Sequence, residues 1–336
     1  MNITEFLTAV PTDITAPVVP EAGARFMPSA ESFSEGLREL ILNILPLLRP
    51  DLSEAAQISL TVVAAAILVG LVNTISDCVS SVSDLAGAAA ICSALLLSTN
   101  SLISLAADTI QQMGEYGKLL LPVMAGALAA QGSVTASAAL YTGTAAFVAF
   151  MEKLISGIFL PMVYLYLALA AAHCALGEES LKRIRDMVKN TVSWCLKTLL
   201  TVFLTYMSIT GVISGTTDAA ALKAAKVTIS TFVPVVGSIL SDASEAVLVS
   251  VGLAKNAAGI YGILALLAVF LRPFLKIAVH YLVLKMTALI VTLVGTKRNA
   301  ELIQDFSGAM GLLLGMTGSA CVLQLISTVC FLKGVG

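Results

Sequence analysis

Few residues in this chain are of a type and spacing that could do chemistry. Its two histidines, His173 and His280, stand in apolar stretches with no Asp or Glu at ligand spacing, so packing is the expected role for both. The six cysteines, Cys78, Cys92, Cys174, Cys195, Cys321 and Cys330, show no C-x-x-C spacing. Small apolar side chains packed between helices account for them better than a disulfide framework or a zinc site. No G-x-S-x-G, H-E-x-x-H, Walker or G-x-G-x-x-G sequence stands in its required context. The expectation is a chain that is not an enzyme, with no catalytic residues, no metal ligands and no cofactor.

Charge inside apolar segments is informative, because burying it in lipid is costly. Glu152-Lys153 reads as a turn at the surface, and Lys285 as a side chain that snorkels from an interface. Arg272 and Lys276 lie one helical turn apart and flank Pro273. If residues 257–294 form one kinked span, the two cannot both reach water. They would then line a polar cavity or pair with a carboxylate such as Glu245, which with Asp242 marks the second broken segment. The run QGSVTASAALYTGTAA is dominated by small residues, which permit close approach of helices or of subunits.

The elements that must position these groups follow from composition. The chain has 336 residues, 58% hydrophobic and 12% charged, with a mean hydropathy of +0.95 and a formal net charge of −2. An ordinary soluble domain is about 45–50% apolar and about 25% charged. These figures exclude a soluble globular enzyme, a disordered chain and a nucleic-acid binder, and point to an all-α, polytopic transmembrane protein. Residues 1–54 read as a polar extracytoplasmic region with a short amphipathic helix around Glu31–Leu48. The first residues, MNITEFLTAVPTDITAPVVP, have no basic stretch of the kind that opens a signal peptide. A transmembrane hairpin over 55–117 follows, with spans at Ala55–Ile75 and Leu85–Ala107. Membrane repeats are expected at 118–229 and 230–336.

The repeats rest on prolines. Beyond residue 57 only Pro122, Pro161, Pro234 and Pro273 occur, and each pair is 39 residues apart at a common offset of 112. At that offset Val123 matches Val235, Leu128 matches Leu240 and Leu154 matches Leu266. The stretch 118–153 is apolar but broken at Gln131-Gly132-Ser133, giving pieces too short for a comfortable span, as in half-helices or a re-entrant hairpin. Pro122, Gly132, Pro161, Pro234 and Pro273 are the candidate breaks and hinges. A proline removes one helical hydrogen bond, and in lipid the freed carbonyl must find a partner within the protein. Prolines that only shape packing are the competing reading.

A span over 154–176 leads into GEESLKRIRDMVKNTVSW. There Leu181, Ile184, Val188 and Val192 recur at helical spacing opposite Lys182, Arg183, Arg185 and Lys189. This predicts an amphipathic helix on a membrane surface or a partner, followed by Trp194 at an interface and a span over Cys195–Ile213. Lys297-Arg298 opens a second basic loop before a last span at Met310–Leu332. The positive-inside rule places both basic loops in the cytoplasm and the N-terminal region outside. Lys182, Arg183, Arg185, Lys189, Lys297 and Arg298 are the candidate partner surface. Whether 257–294 is one span or two, and so whether the repeats are parallel or inverted, stays open at this level.

The order of these elements, with LPVMAGALAAQGSVTASA, the span holding Pro161, EESLKRIRDMVKNTVSW and NAELIQDFSGAMGLLLGM, resembles the stage III sporulation protein AE family of endospore-forming Firmicutes from about residue 35 onward. The resemblance implies a membrane protein of the mother cell, in the membrane surrounding the forespore. It implies partners among the other membrane proteins of its operon and the associated cytoplasmic ATPase, in a secretion-like channel required for late forespore gene expression. It carries no catalytic residues. Membrane lipid, a homo- or hetero-oligomeric state and no nucleic acid complete the expected partners. A stand-alone secondary transporter with a midplane site framed by the duplicated broken helices is the alternative.

Overall fold

The computed structural model describes residues 33–75, 80–130, 134–209, 257–294 and 296–334. Within them the chain is helical: α1 Phe33–Ile44, α2 Leu48–Ile75, α3 Ser80–Ala130, α4 Val134–Leu154, α5 Leu160–Leu176, α6 Glu179–Ile209, α7 Ala257–Val294 and α8 Lys297–Gly334. A 3-10 turn at Leu45–Leu47 joins α1 to α2, and a π turn at Ile155–Phe159 joins α4 to α5. Five stretches are long and apolar enough to cross a membrane: Phe33–Asn73, Leu85–Gly126, Leu140–Leu176, Tyr261–Leu293 and Lys297–Phe331. The protein is thus a polytopic all-α membrane chain. With no water in hydrocarbon to satisfy backbone groups, a closed helical ladder is the form such sequences must take.

α8 is the centre. It packs against α7, α3, α5, α6 and α4, and 94% of its most apolar window is buried inside the protein. Its hydroxyls close onto its own backbone: Thr317 onto the carbonyl of Leu313, Ser319 onto Gly315, Ser327 onto Leu323 and Thr328 onto Gln324. A helix with such self-satisfied polar groups can be enclosed on every side.

Directions follow from contacts. α6 runs beside α8 in the same sense, since Arg185 meets Asp305 and Leu200 packs with Val322. α5 runs opposite to α8, with Tyr166 at Asp305 and His173 at Glu301. The α5–α6 pair and the α7–α8 pair therefore both descend and return, with their turns at one end.

The helices are longer and less divided than the sequence suggested. Residues 107–118, expected between a span and a re-entrant piece, lie inside α3, which continues through Asp108, Glu115, Lys118 and Pro122. The span expected at 154–176 is the second half of a run that begins at Val134. The surface helix around 181–192 and the span from Cys195 are one helix, α6, described to Ile209. Residues 257–294 form a single helix through Pro273, and α8 starts at Lys297, so 297–308 is no loop. The physical reason is common to all. A single charged residue or proline costs only a few kcal/mol in a helix, and each is outweighed where a neighbouring helix packs alongside. The boundaries drawn at 54/55 and 117/118 fall inside α2 and α3, and 229/230 lies outside the described residues.

Candidate functional site

The two basic turns meet. Gly177 ends α5 in the left-handed conformation, φ 74°, and its N–H donates to the carbonyl of His173 at 2.8 Å. Glycine takes that conformation without a Cβ penalty. A Cβ there would also press on the guanidinium of Arg298, 2.4 Å away. The Cys174 thiol donates to the Arg298 carbonyl at 3.6 Å, which ties the second turn to the first.

Charge then knits α5, α6 and α8 together. Lys182 Nζ and His173 Nε2 each lie 3.6 Å from Glu301 Oε2. The other ring nitrogen of His173 donates to the Glu178 carbonyl at 3.0 Å, since a carbonyl only accepts. Deeper in, Arg185 donates through Nη1 to Asp305 Oδ2, and through Nε and Nη2 to Asp186 Oδ1 at 3.0 and 2.9 Å. Tyr166 donates to Asp305 Oδ1 at 3.1 Å. Both Asp305 oxygens are thereby satisfied.

This corrects the expected partner surface. Arg185 is not on the outer face of α6 but buried, at 6% exposure, while Ile184, expected to face in, is nearly half-exposed. The buried face of α6 is Arg185, Val188, Val192, Leu196 and Leu200. The rotation has a clear cause: Asp305 and Tyr166 offer a guanidinium more than water does at that depth. Arg183, Lys297 and Arg298 remain exposed, and Lys182 and Lys189 are half-buried.

Lys276 has carboxylate partners that the sequence reading did not name. Its Nζ lies 3.3 Å from Asp51 Oδ1 and 3.1 Å from Glu54 Oε2, both on α2. Asp51 is buried, and His280, one turn beyond Lys276, is buried and bonds through Nδ1 to the Lys276 carbonyl at 3.0 Å. Arg272 is half-buried. Glu245, Pro234 and Gly132 lie outside the described residues. The missed signal was the i, i+3 pair Asp51 and Glu54 at the head of an apolar run.

A third polar seam crosses the bundle at α3. Gly114 and Gly117 leave room for the side chains of Glu152 and Gln324: a Cβ on either glycine would meet them at 2.8 and 2.2 Å. Glu152 pairs with Lys118 at 3.0 Å, and Gln324 donates to the Met113 carbonyl at 3.1 Å. Glu152 thus pairs across helices rather than marking a turn. Pro122 lies within α3 and Pro273 within α7, while Pro161 opens α5 directly after the π turn. Among the described residues no group of three His, Cys, Asp or Glu side chains is arranged to hold a metal ion.

A curated relative, the stage III sporulation protein AE of Bacillus subtilis (strain 168), is 26% identical over 204 residues, 60% of this chain and 51% of that protein. The chain thus matches about half the length of that relative. No solved structure matches. The stage III sporulation protein AE family matches residues 30–334, nearly the whole span of the bundle and its clusters, and the chain belongs to that family.

Proposed function

We propose that this protein is a structural subunit of the mother cell-to-forespore channel, embedded in the membrane surrounding the forespore, and that it has no chemistry of its own. The observation that carries the reading is α8. The axis along which a single-chain pore would run is filled by a buried, apolar helix. Beside it, the cavity between Glu152, Gln324 and Gly114 has room for about one water, ~20 Å³. Such a bundle is a wall or platform, and any conduit lies between it and its neighbours. The exposed cations Lys297 and Arg298, at the joined turns, face the cytoplasm and meet the neighbouring membrane proteins or the ATPase.

The test is Lys297→Glu with Arg298→Glu in a sporulating cell. The variant should reach the membrane at normal abundance yet lose co-purification with the other operon proteins, and late forespore gene expression should fall at least tenfold. Normal co-purification and normal expression would overturn the reading.

A further inference from the structure

The outer surface of the bundle is not uniform around its circumference. Arg185, Tyr166 and Asp305 meet, and Ser307 bonds to the Tyr281 carbonyl at 3.2 Å. These contacts put Arg185, Tyr166 and Tyr281 within about one helical turn of the same height. At that height α5 and α7 show Leu165 and Leu282 to the outside, 50% and 59% exposed, and the one exposed charge there on α7, Lys285, folds back onto the Tyr281 hydroxyl at 3.2 Å. α6 shows Arg183, Asp186, Met187 and Asn190 instead. The stripe continues at helical spacing through Thr191, Trp194, Lys197 and Thr201, all exposed, with Trp194 at 66%. From Arg183 to Thr201 it runs ~27 Å, close to the ~30 Å of a hydrocarbon core.

α6 is 31 residues long, enough to cross a membrane. Charged and amide side chains at membrane depth face protein or water rather than lipid tails. Leucine on α5 and α7 and arginine, aspartate and asparagine on α6 therefore do not share one environment. We infer that the outer face of α6 is a subunit interface, and that its occupant is a second copy of this chain.

The composition of the stripe favours that occupant. Arg183 and Asp186 carry opposite charge one turn apart on one face. Two copies in one membrane share an orientation, so a two-fold axis along the membrane normal sets α6 beside α6 in parallel. Arg183 of each copy then approaches Asp186 of the other, and no net charge is left between that pair. Trp194 and Met187 supply the large anchors typical of an interface centre. This inference needs only that the bundle spans a membrane, and it stands or falls apart from the channel reading.

The test is photocrosslinking of the full chain in native membranes, with two differently tagged copies in one cell. p-Benzoylphenylalanine is placed at Met187, Asn190 or Trp194, and as controls at Leu165 on α5 and Leu282 on α7. The α6 positions should yield adducts carrying both tags at least fivefold above the controls. Arg183→Asp should lower that yield several-fold and Arg183→Lys should retain most of it, with size-exclusion elution confirming that both variants are folded. Adducts confined to a single chain, adducts only with a different protein, or yields no higher than the controls would each overturn the proposal.

Discussion

Replacing Arg185 by alanine removes the main cation from a carboxylate that has nowhere else to go. The side chains of Arg185 and Asp305 are 7% and 11% exposed, so water supplies little compensation. Breaking a buried pair by deleting one partner costs about 3–5 kcal/mol, because the charge left behind stays desolvated. Asp305 would keep the Tyr166 hydroxyl at 3.1 Å, with Lys189 nearby, which places Arg185→Ala toward 3 kcal/mol. Asp305→Asn should cost less, about 2 kcal/mol, since Arg185 retains Asp186, itself half-exposed. The decisive variant removes both charges. Arg185→Met with Asp305→Leu should fall short of the summed single costs by at least about 2 kcal/mol, since no charge is then stranded. Sodium dodecyl sulfate titration in mixed micelles can measure all three. The protein's one tryptophan, Trp194 on α6, reports when that helix leaves the bundle. Single variants that each cost under about 1 kcal/mol, or a double variant that is strictly additive, would show that the pair is not buried as described.

Two further outcomes follow from the other clusters. Lys276→Met strands buried Asp51 and should destabilise by about 3 kcal/mol in the same titration, and adding Asp51→Asn should recover most of the loss. Glu54→Gln, at the exposed end of that cluster, should cost under about 1 kcal/mol. Gly117→Val drives a side chain into Gln324 and should cost about 1–3 kcal/mol. Gly126→Ala, with nothing within 4 Å of the added carbon, should be neutral or stabilising by up to about 1 kcal/mol, and a loss at this position would contradict the packing of α3.

Much of the architecture was legible because it depends on composition. Long apolar stretches with little charge read as membrane helices, and Gly177 stands where α5 stops. What was not legible depends on partners distant in sequence. Nothing near Arg185 says that it turns inward, because its reason is Asp305 and Tyr166, 120 and 19 residues away. A sequence reading therefore gave the buried face of α6 to Ile184 by hydropathy. Lys276 shows the same limit: a charge in an apolar run predicted a carboxylate partner, but not that Asp51 and Glu54 would supply it from α2.

The same consideration explains why hydropathy misjudges which helix is central. Hydropathy alone does not separate α7 from α8, but they bury 67% and 94% of their most apolar windows. Lipid and protein interior are equally apolar solvents, so leucine content cannot separate them. Small residues and polar side chains can. α8 carries Gly308, Gly311, Gly315 and Gly318, which allow backbones to approach, and Gln324, which bonds a neighbouring helix rather than its own. The outward face of α7 carries Leu282, Met286, Leu289 and Leu293. Helices rich in glycine and amide belong inside such a bundle, those edged in leucine belong against lipid, and α6, which exposes arginine, aspartate and asparagine where α5 and α7 expose leucine, fits neither place unless another protein covers it.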